Sequence, residues 1–345
     1  MSQFKDFRSD TVTLPTPKMR QAMADAEVGD DILGEDPTVQ RLESVSARLL
    51  GKEAGLFVLS GTMGNQVAIQ TLTERGDEIL VGADSHIFNL EVGGLAALSG
   101  VQTRILTSQG GRFDPRDVRS AIRSKGIQAA VTRVLCLENT CDLNRGIPLP
   151  PEYFAEMGNI ARERGLGVYL DGARIFNAAT FFGAEPASLC KDVDAVMFCL
   201  TKGLAAPLGS VLVGTREFID RARWIRQRIG GGMRQAGHIA AAALVALDTM
   251  RERLAEDHIN AERLREGLAS VHPQIVDMKQ PLTNIVRIDF APVGKTSASM
   301  VQRLFECGIK VKPVGETACR MVTHWGISAN DVDESVAAIA SILRQ

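Results

Sequence analysis

The sequence predicts an α/β protein, with a mostly parallel sheet in a large domain and a smaller α+β domain after it. Short apolar runs recur along the chain as far as Gly230, without the alternation of a half-exposed strand, so they read as strands buried on both faces. Amphipathic stretches and glycine-rich turns separate these runs, as crossovers between parallel strands require. Beyond Gly230 the texture changes to a long helical stretch followed by shorter strand candidates mixed with helices, which is the pattern of an α+β unit.

Residues 1–40 are rich in turn formers (Pro15, Pro17, Gly29, Gly34, Pro37) and read as an arm that wraps around the rest. The large domain, 41–235, begins with a strand at Gly55–Ser60, a turn at Gly61 and a helix running to Glu74. Further strands are expected at Asp77–Gly82, Gln102–Thr107, Ala129–Glu138, Gly167–Leu170, Ala195–Leu200 and Ser210–Gly214, with helices such as Arg116–Arg123 and Pro151–Arg164 between them. The C-terminal domain, 236–345, starts inside a helical stretch from Met233 to Leu268, whose wholly apolar part, Ile239–Leu247, reads as core or subunit interface. Strands at Thr283–Phe290 and Arg320–Thr323 and helices at Ser297–Cys307 and Val332–Leu343 complete it.

The balance of 39 basic and 41 acidic side chains gives a net charge of -2 and excludes a strongly basic nucleic-acid binder. Two tryptophans and two tyrosines also leave little to stack bases on. The uncharged run Ala54–Thr73 carries Ser60, Thr62, Asn65, Gln66, Gln70 and Thr71, too many polar groups for a membrane span. Lys5, Asp6, Arg8 and Asp10 interrupt the first ten residues, so no secretory signal is expected. The six cysteines (136, 141, 190, 199, 307 and 319) form no CxxC pair. Neither a zinc site nor a disulfide framework is expected, and a reducing cytoplasm fits such cysteine usage.

Three segments can carry chemistry. In Ser60-Gly-Thr-Met-Gly-Asn65 a strand ends, a glycine turns the chain and a helix begins, so backbone N–H groups point at whatever anion sits there. Taken alone, the same turn reads first as a plain helix start capped by Ser60 or Thr62. In Val168-Tyr-Leu-Asp-Gly-Ala-Arg174 an aspartate ends an apolar strand, where open α/β sheets bind ligands. The alternative is that Asp171 caps the next helix and pairs with Arg174. In Met197-Phe-Cys-Leu-Thr-Lys-Gly203 a lysine follows a strand, and a desolvated lysine is a nucleophilic amine, although most loop lysines are simply solvated. Together the three match the needs of pyridoxal phosphate (PLP): a helix N-terminus for the phosphate, a carboxylate for the pyridinium nitrogen, and an amine for the aldehyde.

Ten segments in order make the chain resemble the low-specificity L-threonine aldolase family of fold-type I PLP enzymes. They are Phe7-Arg-Ser-Asp-Thr-Val-Thr13, Val28-Gly-Asp-Asp31, Gly34-Glu-Asp-Pro-Thr-Val39, Ser60-Gly-Thr-Met-Gly-Asn65 and Asp84-Ser-His-Ile87. After these come Leu137-Glu-Asn-Thr140, Asp171-Gly-Ala-Arg-Ile-Phe-Asn177, Thr201-Lys-Gly203, Gly230-Gly-Gly-Met-Arg-Gln-Ala-Gly237 and Val322-Thr-His324. The resemblance implies a seven-stranded sheet and a dimer or tetramer with shared active sites. It implies that Lys202 forms the Schiff base, that Asp171 pairs with the pyridinium nitrogen, and that His86 stacks on the ring near the reacting side of the substrate. By the same resemblance Gly61 and Thr62 hold the phosphate and Ser9, Arg174 and Arg320 bind the substrate α-carboxylate, with Arg174 beside the cofactor as well. Arg234 is then the residue that reaches a neighbouring subunit's phosphate. The implied reaction is retro-aldol cleavage of a β-hydroxy-α-amino acid to glycine and an aldehyde. β-Elimination, transaldol transfer and racemisation are the alternatives on the same scaffold, and a catalytically silent binder is the alternative of a different class.

Three positions depart from that family's pattern: Cys141 where histidine is usual, Leu33 where tyrosine is frequent, and Gln227 in place of a common lysine. Cys141 and Leu33 are expected to line a more apolar substrate pocket, suited to a bulkier side chain.

Overall fold

The computed structural model describes residues 4–124, 126–143 and 145–344. Seven of its strands form one sheet: β2 (Ala54–Val58), β3 (Glu78–Gly82), β4 (Gln102–Leu106), β5 (Thr132–Glu138), β6 (Gly167–Asp171), β7 (Ala195–Cys199) and β8 (Ser210–Gly214). The order across the sheet is β2-β8-β7-β6-β5-β3-β4, and β8 alone runs against its neighbours. Each expected strand of the large domain is present, within three residues at either end.

Both faces of this sheet are covered. Val168 and Leu170 of β6 point into one apolar layer and Tyr169 into the other. The first layer takes in helices α1 (Pro17–Ala24), α2 (Pro37–Leu49) and α6 (Pro151–Arg164). The second takes in α3 (Gly61–Leu72) and α9 (Arg216–Arg228), while α4 (His86–Asn89), α5 (Pro115–Ala121), α7 (Ile175–Phe182) and α8 (Pro186–Cys190) fill the remaining crossovers. Burial on both faces is why these strands read as apolar runs.

A second sheet of three strands lies in the C-terminal part, in the order β11 (Lys312–Pro313), β12 (Ala318–Val322), β9 (Ile285–Asp289), all antiparallel. It shares a core with α11 (Leu254–Val271), α12 (Ser297–Glu306) and α13 (Ala329–Leu343). The two remaining strands, β1 (Lys5–Asp6) and β10 (Ile309–Lys310), pair in parallel, and Phe7 is buried in this same core.

Two segments differ from the sequence-based expectation. The arm contains a helix, α1, where proline suggested turns. Thr16 accepts the Met19 N–H and Pro17 stands at the first helical position, where a missing N–H costs nothing. The helical stretch from Met233 divides into α10 (Gly237–Thr249) and α11 because the halves serve different cores. Ala240, Ala243 and Leu247 pack with the large sheet, whereas Ala261, Leu264 and Leu268 pack with the small one.

Candidate active site

The parallel strands β3, β5, β6 and β7 end on the same edge of the sheet, and each delivers a polar group there. His86 opens α4 shortly after β3, Glu138 ends β5, Asp171 ends β6, and Lys202 follows β7. Glu138, His86, Asp171 and Lys202 line one cleft, together with Gly61, Arg174 and Asp142.

Asp171 is buried and accepts the Ala173 N–H at 3.0 Å and the Asn65 amide at 2.9 Å. Asn65 gives a second hydrogen to Glu91 Oε1 at 2.6 Å, and Tyr169 donates its hydroxyl to the Asn65 oxygen. Glu91 also accepts from Gln66 at 3.0 Å and stands 3.0 Å from His86 Nδ1. That hydrogen bond holds the imidazole above its ordinary range, against burial, which pulls the other way. His86, Glu91 and Asp171 offer ligand atoms within 4.8 Å of one another, but here the two carboxylates are satisfied by amide and imidazole donors.

Glu138 accepts the backbone N–H groups of His86 and Asp142, both at 2.8 Å. Complete burial, with Asp171 nearby, pushes its carboxyl up to about 8.

A second polar network forms the other wall. Arg174 donates through Nε and Nη2 to Asp10 at 2.7 and 2.8 Å, and through Nη1 to Asp142 at 2.7 Å. Arg320, carried on β12 of the small sheet, donates to the other Asp142 oxygen at 2.8 Å. Burial opposes charging Asp10, yet the adjacent Arg174 guanidinium brings it down to about 2. Removing one member of such a buried network costs on the order of 3–5 kcal/mol. Ser9 caps the short turn at Asp10–Val12 beside this network. Thr13 Oγ1 reaches the Lys202 carbonyl at 3.1 Å, so the N-terminal segment braces the lysine loop.

The start of α3 suits a phosphate. Helix geometry leaves the Gly61 and Thr62 N–H groups without intrahelical acceptors. A Cβ on Gly61 would lie 2.9 Å from Cys199 Sγ, and one on Gly64 would lie 2.6 Å from Met197 Cγ. Only glycine lets this helix end sit so close to the strand that leads to Lys202. A fixed carboxylate, an amine and an anion-binding turn around one cleft match the donor set that PLP needs.

The structure thus brings together Gly61, His86, Asp171, Arg174 and Lys202, with Ser9 and Arg320 joined through the Asp10–Arg174–Asp142 network. Thr62 lies exposed at the helix start. It does not bring in the remaining expected residues. Arg234 is exposed and paired with Asp30 at 2.6 Å, Leu33 is 66% exposed, and Cys141 is buried with its thiol 3.8 Å from the Asp84 carbonyl. Gln227 lies exposed on α9, whereas Arg226 beside it is buried against Asp31 at 2.8 Å. His324 bonds the Asp6 and Trp325 carbonyls and is structural, as is the His258 contact to Asn177.

Sequence reasoning missed Asp10, Asn65, Glu91, Glu138 and Asp142. Asp10, Asn65 and Glu138 stood inside the quoted motifs but had no role assigned. Glu91, an acid between Leu90 and Val92 before two glycines, was the available signal for a buried carboxylate.

A mostly parallel seven-stranded sheet with these groups at its C-terminal edge defines the fold-type I class of PLP-dependent enzymes. Residues 6–291 match the beta-eliminating lyase family model, and the chain belongs to that family. It is 43% identical to a probable low-specificity L-threonine aldolase of Arabidopsis thaliana, over 98% of this chain and 96% of that one. It is 41% identical to the low specificity L-threonine aldolase of Escherichia coli, over 96% and 97% of the two chains. Among solved structures it resembles a threonine aldolase of Leishmania major, with a TM-score of 0.84 at 17% identity, covering 98% of this chain and 99% of that chain.

Proposed function

We propose that this chain cleaves a β-hydroxy-α-amino acid, such as threonine or allo-threonine, into glycine and an aldehyde. The observation that carries this reading is the grouping of Lys202, Asp171, His86 and Arg174 around one cleft, in a chain so similar to threonine aldolases. When bound, PLP supplies the electron sink that makes Cα–Cβ cleavage accessible. Lys202 would hold the cofactor aldehyde through its amine. Asp171, fixed by Asn65 and the Ala173 N–H, keeps the pyridinium nitrogen protonated. Gly61 and Thr62 hold the phosphate. Ser9, Arg174 and Arg320 orient the substrate through its α-carboxylate, which sets the breaking bond relative to the ring. His86, its Nδ1 held by Glu91, takes the β-hydroxyl proton directly or through a water.

In the assembly we infer a homodimer or homotetramer in the cytoplasm, with Arg234 reaching the partner's phosphate. Its support is exposure: the Arg234 side chain is 61% open to solvent in the isolated chain, near exposed Ile32 and Leu33. No described helix is long and apolar enough to cross a membrane. Within one chain, the division we favour remains an arm, 1–40, a cofactor domain, 41–235, and a C-terminal domain, 236–345.

The test is product analysis on the PLP-loaded enzyme. Threonine should yield equimolar glycine and acetaldehyde, and Lys202→Ala should abolish both. Ammonia with a 2-oxo acid would instead assign β-elimination. Kinetics on phenylserine against threonine will decide whether Cys141 and Leu33 accompany a bulkier substrate.

A further inference from the structure

Arg174 and Arg320 are the two cations that the proposed reaction assigns to the α-carboxylate of the substrate, yet the chain already places a carboxylate between them. Asp142 Oδ1 lies 2.7 Å from Arg174 Nη1, and its Oδ2 lies 2.8 Å from Arg320 Nη1. We propose that Asp142 is an internal occupant of the α-carboxylate seat, and that an amino acid binds by displacing it. This rests on the reading of Arg174 and Arg320 as the carboxylate-binding pair.

The placement argues for occupancy rather than ordinary pairing. Asp142 lines the same cleft as Lys202, Asp171 and His86. The two arginines come from different sheets, Arg174 from the turn after β6 and Arg320 from β12, and the one carboxylate bridges them. Asp10 engages Nε and Nη2 of Arg174, which leaves Nη1 to Asp142, and both Arg174 and Asp142 line the cleft. Asp142 also leaves part of the seat unfilled, because Arg320 Nε is buried with no hydrogen-bond acceptor. A free carboxylate bound side-on to Arg320 would satisfy that N–H as well as Nη.

Like-charge repulsion favours displacement over addition. Asp10, Asp142, Arg174 and Arg320 are all buried, and Asp142 already holds an Nη of each arginine. A further carboxylate brought to those two Nη groups would face Asp142 at close range in a poorly solvated site. Withdrawal of Asp142 relieves that repulsion. The backbone around it is held by the Asp142 N–H on Glu138 at 2.8 Å and the Gly146 N–H on the Cys141 carbonyl at 3.0 Å. The side chain therefore leaves by rotation about its own bonds. Every amino acid that enters must do this work, so Asp142 sets how tightly the site takes its substrate.

The experiment compares PLP-loaded wild type with Asp142→Asn and Asp142→Ala. Removing the competitor should lower KM for threonine about tenfold, as expected when an occluded fraction is released. Glycine, titrated against the cofactor absorbance, should bind more tightly by the same factor. Unchanged or raised KM and glycine affinity, in variants that retain cofactor, would overturn the proposal and make Asp142 a counter-ion that merely holds the arginines.

A second measurement covers loss of stability in the variants. Melting of the full-chain holoenzymes is followed with sodium acetate against sodium chloride at equal ionic strength. Acetate should raise the melting temperature of Asp142→Ala and leave wild type unmoved, and equal responses would overturn the proposal. If wild type cleaves threonine but both tests are flat, this inference alone fails. If no form cleaves a β-hydroxy amino acid while acetate still rescues Asp142→Ala, the aldolase reading fails and the carboxylate seat stands.

Discussion

The Glu91 carboxylate stands 3.0 Å from His86 Nδ1, inside a wall where Asn65 and Gln66 hold both its oxygens. It fixes which ring nitrogen carries the proton and raises the affinity of the imidazole for a second one.

A base must be neutral to accept a proton, so if His86 takes that role, as proposed, activity should fall as pH drops through its raised value. In Glu91→Gln that raising hydrogen bond is weakened, and the acid limb of kcat/KM should move to lower pH. A pH profile of threonine cleavage reads the shift, and an unmoved limb would remove His86 from the base role.

Asn65 spends both amide hydrogens on carboxylates, Glu91 and Asp171. Asn65→Ala leaves two buried anions facing each other without a donor between them. Cofactor affinity should drop about tenfold, as for other losses of outer-shell support. Equilibrium dialysis of PLP measures it directly.

Glu138 gives a stability signature between pH 4.5 and about 8. The unfolded chain releases this proton near 4.5 and the folded chain near 8. The folded state binds the proton more tightly, so the contribution is complete below 4.5 and is lost as pH rises through about 8. Between pH 4.5 and about 8 the melting temperature should fall more steeply with pH in wild type than in Glu138→Gln. Parallel curves would show that Glu138 is ionised throughout.

Gly64 is a packing requirement. The Cβ of Gly64→Ala would meet Met197 Cγ at 2.6 Å, forcing α3 away from β7. We expect a loss of about 1–3 kcal/mol by denaturant unfolding, with weaker cofactor binding. Wild-type stability and affinity would mean that Met197 yields instead.

The large sheet was legible because its strands are buried on both faces and so appear as apolar runs with glycine turns. Asp171 and Lys202 were legible for a related reason: a polar group ending such a run stands out. The arm helix was not, because Pro17 is a breaker inside a helix and a starter at its first position, and only the backbone decides which. The Asp142 network was hidden by distance, since Arg320 lies 178 residues further along the chain. No local pattern marks a residue whose partner comes from another sheet. Glu91 offered only its apolar flanks, Leu90 and Val92, as a sign of burial, and its partners Asn65 and Gln66 lie on a different element.

The pairing of β1 with β10 bears on how the protein is made. Phe7 leaves the ribosome well before the strands and helices that form its burial site. Until then β1 and Phe7 have nothing to dock on, although Asp10 can already meet Arg174 and Thr13 the Lys202 loop. The large sheet can collapse early, but Arg320 joins Asp142 only once β12 has been made, so a partly synthesised molecule carries the sheet with one wall of the cleft incomplete.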